Sequence, residues 1–145
     1  MKKLLLLICT FIYSFSAGLN QEFLEPNEAF KPTFTKNETS INLKLDLGRD
    51  IYLYDDKLKV FIVKPEKIEI TKEINIPKAV AYEEFIVQFN NLDLTIPFSL
   101  LKSKVDLNEY EIEVKFQGCS KLGLCYAKKK KKYLDFVLKE IIKKN

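Results

Sequence analysis

The chain contains no histidine. That absence removes the Ser-His-Asp and Cys-His nucleophile arrangements, takes away the commonest zinc ligand, and leaves no side chain whose unperturbed titration falls near neutral pH. Glycine is scarce as well. The chain has four glycines in 145 residues, and two of them, Gly118 and Gly123, sit in one short stretch, FQGCSKLGLCYA (residues 116–127), beside Cys119 and Cys125. No apolar run reaches the roughly 20 residues that comfortably span a bilayer as a helix. The net charge of +4 is modest and comes mostly from one late lysine run. Basic residues are not interleaved with aromatics along the chain, which argues against a nucleic-acid partner. A length of 145 residues with 47% hydrophobic content suits a single domain with one ordinary core.

The N-terminus reads as an export signal over residues 1–18. Lys2 and Lys3 give a positive start, residues 4–15 an apolar run, and Ser16-Ala17-Gly18 the small residues a signal peptidase prefers. An uncleaved anchor is the alternative, disfavoured by the length of the run. Cys9 lies within that run behind Ile8, not behind a small residue, so it does not match a lipidation site. Removal of the signal leaves two cysteines, an even count that permits a disulfide in an exported chain.

Residues 19–38 are polar, contain proline and show no clear period; they read as an N-terminal arm. From Ser40 the pattern changes. Ile41, Leu43, Leu45 and Leu47 alternate with polar residues, as in a strand with one buried face. A turn at Gly48-Arg49-Asp50 leads to β-rich runs over residues 51–54 and 58–63, separated by Asp55-Asp56. Lys64-Pro65-Glu66 breaks the chain, and Ile68 and Ile70 resume the alternation. Residues 79–89 form a further extended segment. Leu92, Leu94, Ile96 and Phe98 make a clean alternating strand, and Tyr110, Ile112, Val114 and Phe116 carry another directly into the cysteines. About seven short strands, punctuated by Gly, Pro, Asn and Asp and lacking helical crossovers, predict an all-β antiparallel sandwich. Only the lysine-rich tail, residues 128–145, has a helical stripe: Leu134, Val137, Leu138 and Ile141 predict a short C-terminal helix.

Three chemistries compete for Cys119 and Cys125. A closed zinc site needs four ligands, and two thiolates without histidine leave two places for carboxylates, so metal is the weakest reading. A hairpin that puts the cysteines at facing positions brings their Cα atoms within disulfide reach. Such a disulfide is either a structural staple, as in most small exported domains, or a redox pair. Its short loop contributes less than the ~3 kcal/mol of a 15-residue loop, so opening it does not require unfolding. Residue pattern alone leaves these two readings level.

The segment FQGCSKLGLCYA resembles the aromatic-Gln-Gly-Cys, five residues, Cys-Tyr signature of the N-terminal periplasmic domain of DsbD, the thiol:disulfide interchange family of Gram-negative bacteria. FLEPNEAFKPTF (residues 23–34), IYLY (residues 51–54) and LTIP (residues 94–97) also resemble that domain, in its order and spacing apart from a short deletion near Asn90. The resemblance implies an immunoglobulin-like sandwich over residues 39–127 that passes reducing equivalents in the periplasm and needs no cofactor. A DsbD-type membrane donor with a thioredoxin-like domain would supply it. Thioredoxin-like acceptors, the disulfide isomerase and the cytochrome c maturation thioredoxin, would draw on it. Carried over, Cys125 forms the mixed disulfide and Cys119 resolves it. Phe85, flanked by Glu83 and Glu84, corresponds to an aromatic cap over the sulfurs, with Tyr82 as the other candidate ring; Tyr52, Tyr54 and Tyr126 surround the site. Lys121 and Lys128 would favour a thiolate, and the two glutamates would oppose it.

The chain also departs from the family. Ala127 stands where proline is usual, and residues 128–132 are all lysine. These lysines read as a solvated charged face or, alternatively, as a lipid-headgroup contact that would associate the chain with the inner membrane. No membrane helices or thioredoxin-like domain follow, so a stand-alone carrier, an excised fragment and a displaced reading frame are the three expectations. The rival function is a non-catalytic immunoglobulin-like binding module stapled by its disulfide.

Overall fold

The computed structural model describes residues 22–134. The export signal over residues 1–18 therefore lies outside the described residues, as does most of the helical stripe expected in the tail. Among the described residues, eleven strands run β1 (Phe30–Lys36), β2 (Ser40–Leu47), β3 (Ile51–Tyr54), β4 (Lys59–Lys64), β5 (Ile68–Glu69), β6 (Val80–Tyr82), β7 (Phe85–Gln88), β8 (Leu92–Pro97), β9 (Glu111–Phe116), β10 (Gly118–Ser120) and β11 (Lys129–Leu134). The helices are short: α1 (Pro26–Ala29) and α2 (Phe98–Lys102). The expectation of an antiparallel β-sandwich holds. Strands order as β1-β2-β8, β10-β3-β7-β6 and β11-β9-β4-β5, and every paired strand is antiparallel.

Alternation builds the core. In β2 and β8, Ile41, Leu43 and Leu45 stand opposite Ile96, Leu94 and Leu92, all at most 1% exposed. Cross-strand partners share a face, so these six form one apolar wall. Val60 and Ile62 of β4 face Val114 and Ile112 of β9 and form the second wall, in the same buried cluster. Each fully buried Leu or Ile contributes about 1.5–3 kcal/mol relative to exposure.

Two expectations change. Residues 19–38, read as an arm, contain α1 and β1, and β1 pairs with β2 along its whole length. Phe30, Pro32 and Phe34 do alternate with Lys31, Thr33 and Thr35; the proline, which looks like a breaker, is tolerated because β1 is an edge strand. The lysine run, read as part of a tail beyond the domain, enters strand β11 from Lys129 onward. Its counter-charges lie on β9. Glu111 and Glu113 are buried, and Lys132 Nζ lies 2.9 Å from Glu111 and 4.0 Å from Glu113, with Lys64 3.4 Å from Glu111. Of the residues in the expected helical stripe, only Leu134 is described, and it ends β11.

Candidate active site

Strand β3 divides the two jobs of the domain. Ile51 and Leu53 point into the main core, while Tyr52 and, beside it, Tyr54 belong to a second cluster with Val87, Cys119, Tyr82 and Phe89. Register explains this grouping. Cys119 of β10 stands opposite Tyr52, and Tyr54 stands opposite Val87 of β7, so the same face of this sheet collects the cysteine and the aromatics.

The local sequence folds around two glycines. At Gly118, β10 approaches β3 so closely that a Cβ would collide with the Tyr52 carbonyl oxygen. Gly123 has φ +110°, a conformation an L side chain rarely adopts, and donates its N–H to the Ser120 carbonyl at 3.0 Å. The turn brings Cys119 and Cys125 to facing positions, with Cα atoms 4.0 Å apart, and they form a disulfide. The two sulfurs differ in access. Cys119 is 1% exposed; Cys125 is exposed. The Tyr54 hydroxyl lies 3.0 Å from Cys119 Sγ and 3.9 Å from Cys125 Sγ. In the disulfide neither sulfur carries a proton, so Tyr54 is the donor.

The aromatic surround is graded. Tyr52 is buried, its ring 5.8 Å from Tyr54, 5.2 Å from Tyr82 and 5.9 Å from Phe89. Burial, then the neighbouring Tyr54, then the charge of Glu83 push its hydroxyl up to about 12. It is a neutral wall of the site. Phe85 is 40% exposed and lies 4.9 Å from the Tyr54 ring, so it reaches the sulfurs through Tyr54 and is not a core residue. Tyr82, the other candidate ring, packs on Tyr52 and Phe89. Glu83 and Glu84 form the exposed turn between β6 and β7, with Glu83 at φ 52°. Tyr126 is not brought to this face. Its hydroxyl donates to the Leu24 carbonyl at 2.7 Å, and its ring meets Phe30 edge-on at 5.3 Å within the main core. Of the two expected thiolate-favouring lysines, Lys121 sits over Phe89 with its Nζ 4.5 Å from the ring centroid, and Lys128 lines a separate basic cavity.

The sequence reading gave Phe89 and Val87 no place at the site, although Phe89 was among the bulky residues of the extended segment 79–89. Their signal was available: Phe85, Val87 and Phe89 alternate along β7 and its end, in step with Tyr54 and Tyr52 on β3.

The fold and site define a class: an antiparallel β domain that carries, on one sheet face, a disulfide with one buried and one exposed sulfur. The family model described as "Thiol:disulfide interchange protein DsbD, N-terminal" matches residues 20–136. The chain belongs to that family. It is 37% identical over 103 residues, 71% of its length, to the thiol:disulfide interchange protein DsbD of Campylobacter jejuni, and 26% identical over 129 residues, 85% of its length, to that of Citrobacter koseri. The matches cover 18% and 21% of those proteins, so the chain spans about a fifth of the length of these curated relatives. The reduced DsbD N-terminal domain of Neisseria meningitidis has the same fold, with a TM-score of 0.58 at 17% identity over 80% of this chain and 91% of that one. The same domain in complex with the PilB N-terminal domain gives a TM-score of 0.61 at 17% identity, over 78% and 87%.

Proposed function

We propose that the chain is a periplasmic electron carrier in which Cys125 meets partner proteins and Cys119 is the resolving thiol. The contrast in access carries this reading, with Cys119 1% exposed and Cys125 open to solvent. In the reduced protein the Cys125 thiolate attacks one sulfur of an acceptor disulfide. The acceptor S–S bond breaks, its second sulfur leaves as thiolate, and a Cys125–acceptor disulfide forms. The Cys119 thiolate then attacks Cys125 Sγ. The intermolecular bond breaks, the Cys119–Cys125 bond forms, and the acceptor leaves with two electrons, becoming a dithiol on uptake of two protons.

Recharging runs the same path backward. A donor thiolate attacks the exposed Cys125 Sγ and expels Cys119 as thiolate, whose charge the Tyr54 hydroxyl meets from 3.0 Å. The electrons travel as S–S and S–H bonds, so no cofactor takes part. The donor is a DsbD-type membrane protein and the acceptors are thioredoxin-like, the disulfide isomerase and the cytochrome c maturation thioredoxin among them. Docking of a second protein domain on this fold has its precedent in the Neisseria complex. Export through residues 1–18 delivers the chain to the periplasm, and Phe85, which opens β7 against the Tyr54 ring, caps the Cys119 side of the pair between encounters.

Trapping tests the roles. Cys119→Ala should accumulate a stable mixed disulfide with a thioredoxin-like partner, and Cys125→Ala should trap little; equal trapping overturns the assignment. A reduction potential far below about −300 mV would make the pair an inert staple and sink the carrier function itself.

A further inference from the structure

The redox chemistry makes no use of the lysine run, yet the fold arranges it in a defined way. Strand β11 is an edge strand bonded to β9, so successive side chains leave the sheet margin on opposite faces. On the outward face Lys130 stands opposite Lys115, which stands opposite Lys59, giving three lysines in one row across β11, β9 and β4. Beside this row, Lys67 and Lys115 place their Nζ atoms 4.6 Å and 5.3 Å from the centroid of the same Phe61 ring. The contact and charge of Lys115 hold the Lys67 ammonium below its usual range, and Lys130 adds to the effect. A cavity of about 430 Å³ lined by Lys57, Lys59, Lys115, Lys128, Lys129 and Lys130, together with Asp56 and Phe116, extends the basic surface.

Neutralisation is incomplete. Glu69 and Glu113 reach Lys59 and Lys115 at 3.5 Å, and Asp56 reaches Lys57 at 3.2 Å. Lys132 is taken up by buried Glu111 and Glu113. Lys128, Lys129, Lys130 and Lys131 form no ion pair among the described residues. Like charges held this close are a standing repulsion, which an external anionic surface relieves.

We propose that the β11 edge and the adjoining lysine row form an electrostatic docking surface for an anionic lipid bilayer. Charge type and geometry select this occupant. The run is all lysine, and the chain's single arginine, Arg49, sits in the turn before β3. Lysine offers a mobile point charge on a flexible stem, whereas gripping one phosphate or carboxylate in a fixed orientation favours the bidentate arginine fork. The outward row of Lys130, Lys115 and Lys59 spreads its ammonium groups across three strands and does not converge them on one point. A planar, laterally mobile array of phosphate headgroups meets such a row together.

Flotation of the exported chain, after removal of residues 1–18, with vesicles of equal parts phosphatidylglycerol and phosphatidylcholine, against phosphatidylcholine alone, tests the proposal. Binding is expected to the anionic vesicles only, and it should vanish as salt rises from about 0.1 M to about 1 M and the screening length falls from roughly 10 Å to roughly 3 Å. The triple variant Lys128→Gln, Lys130→Gln, Lys131→Gln should bind on the order of 100-fold more weakly, from the usual contribution of a lysine near a charged surface. These side chains are exposed, so its thermal unfolding should be unchanged. A control triple of equal net charge, Lys31→Gln, Lys72→Gln, Lys102→Gln, should bind like the unsubstituted chain. Equal binding to neutral vesicles, or equal loss in both triples, overturns the proposal. So does displacement from vesicles by millimolar inorganic phosphate, which marks a discrete phosphate site, or tight lysine-dependent capture of polyglutamate, which marks an acidic protein partner.

Discussion

Removing one oxygen atom from Tyr54 probes the chemistry of the pair without disturbing its walls. Tyr54→Phe deletes the hydroxyl 3.0 Å from Cys119 Sγ and keeps the ring that lies 4.9 Å from Phe85 and 5.8 Å from Tyr52. In the closed disulfide that hydroxyl donates to a neutral sulfur. As a thiolate attacks Cys125, negative charge builds on the departing Cys119 and the same bond becomes charge-assisted. A hydrogen bond to a charged group contributes about 1.5–3 kcal/mol and a neutral one about 0.5–1.5 kcal/mol. Only the difference accelerates the step, because an interaction equal in ground and transition states leaves the barrier unchanged. A difference of about 1–2 kcal/mol corresponds to a roughly 5- to 30-fold slower reduction of the disulfide. Dithiothreitol reduction under pseudo-first-order conditions measures this rate, and thermal unfolding reports the fold. An unchanged rate in a folded variant refutes leaving-group assistance by Tyr54. Slowing accompanied by a large stability loss would instead make the hydroxyl structural.

Three further outcomes follow from the same geometry. Phe85→Ala should lose far less than the roughly 3–5 kcal/mol of a core phenylalanine, since Phe85 is 40% exposed, while alkylation of the reduced cysteines speeds up; a large stability loss with unchanged labelling would remove Phe85 as a shield. Gly118→Ala places a Cβ against the Tyr52 carbonyl and should cost about 1–3 kcal/mol in denaturant unfolding as β10 shifts from β3; unaltered stability and exchange would show that this contact gives way freely. The hydrogen bond from Lys132, helped by Lys64 and opposed by burial, holds the Glu111 carboxyl below its usual range. Its ionised form is therefore favoured in the folded state, so it adds stability above the ordinary glutamate pKa of about 4.3 that is lost as pH falls through the depressed folded value. Melting temperatures should drop on acidification in that window, and Glu111→Gln should flatten the drop; identical acid limbs in both proteins would contradict this coupling.

The legible parts of the fold were those where one face is buried and the other is wet. Strands β2 and β8 advertise themselves because Ile41, Leu43 and Leu45, or Leu92, Leu94 and Ile96, must all lie on one side. The cysteine hairpin was legible for another reason, since its two glycines and their spacing admit few alternatives. Strand β11 was illegible because a run of identical charges has no alternation. What makes it a strand is across the sheet, where Glu111 and Glu113 looked like solvent-facing partners of Ile112 and Val114 but are covered by the lysines. The β6–β7 hairpin was read as one extended segment because Glu83-Glu84 lacks the Gly or Asn usual in two-residue turns. Glu83 nevertheless takes φ 52°. Tyr126 follows Cys125 in the chain but turns to the opposite side, and adjacency in sequence hid the core role of its ring.

The alternation of β3 also explains how a domain survives repeated opening of its own disulfide. Ile51 and Leu53 carry the packing on one face, and Tyr52 and Tyr54 carry the site on the other, so a change at the sulfurs acts on a layer outside the main core. The closed loop spans a sequence separation of 6, and the chain-entropy contribution of so short a loop lies below the ~3 kcal/mol of a 15-residue one. Backbone bonds that do not involve the sulfurs hold the hairpin in place. Ser120 donates its N–H to the Leu124 carbonyl at 2.7 Å, Tyr126 donates to Gly118 at 3.0 Å, and Lys121 donates to Asp50 at 2.7 Å. In the proposed carrier these bonds outlast reduction of the disulfide, so the two freed thiols stay positioned for the next attack. Pre-organisation of this kind lowers the entropic cost of each exchange.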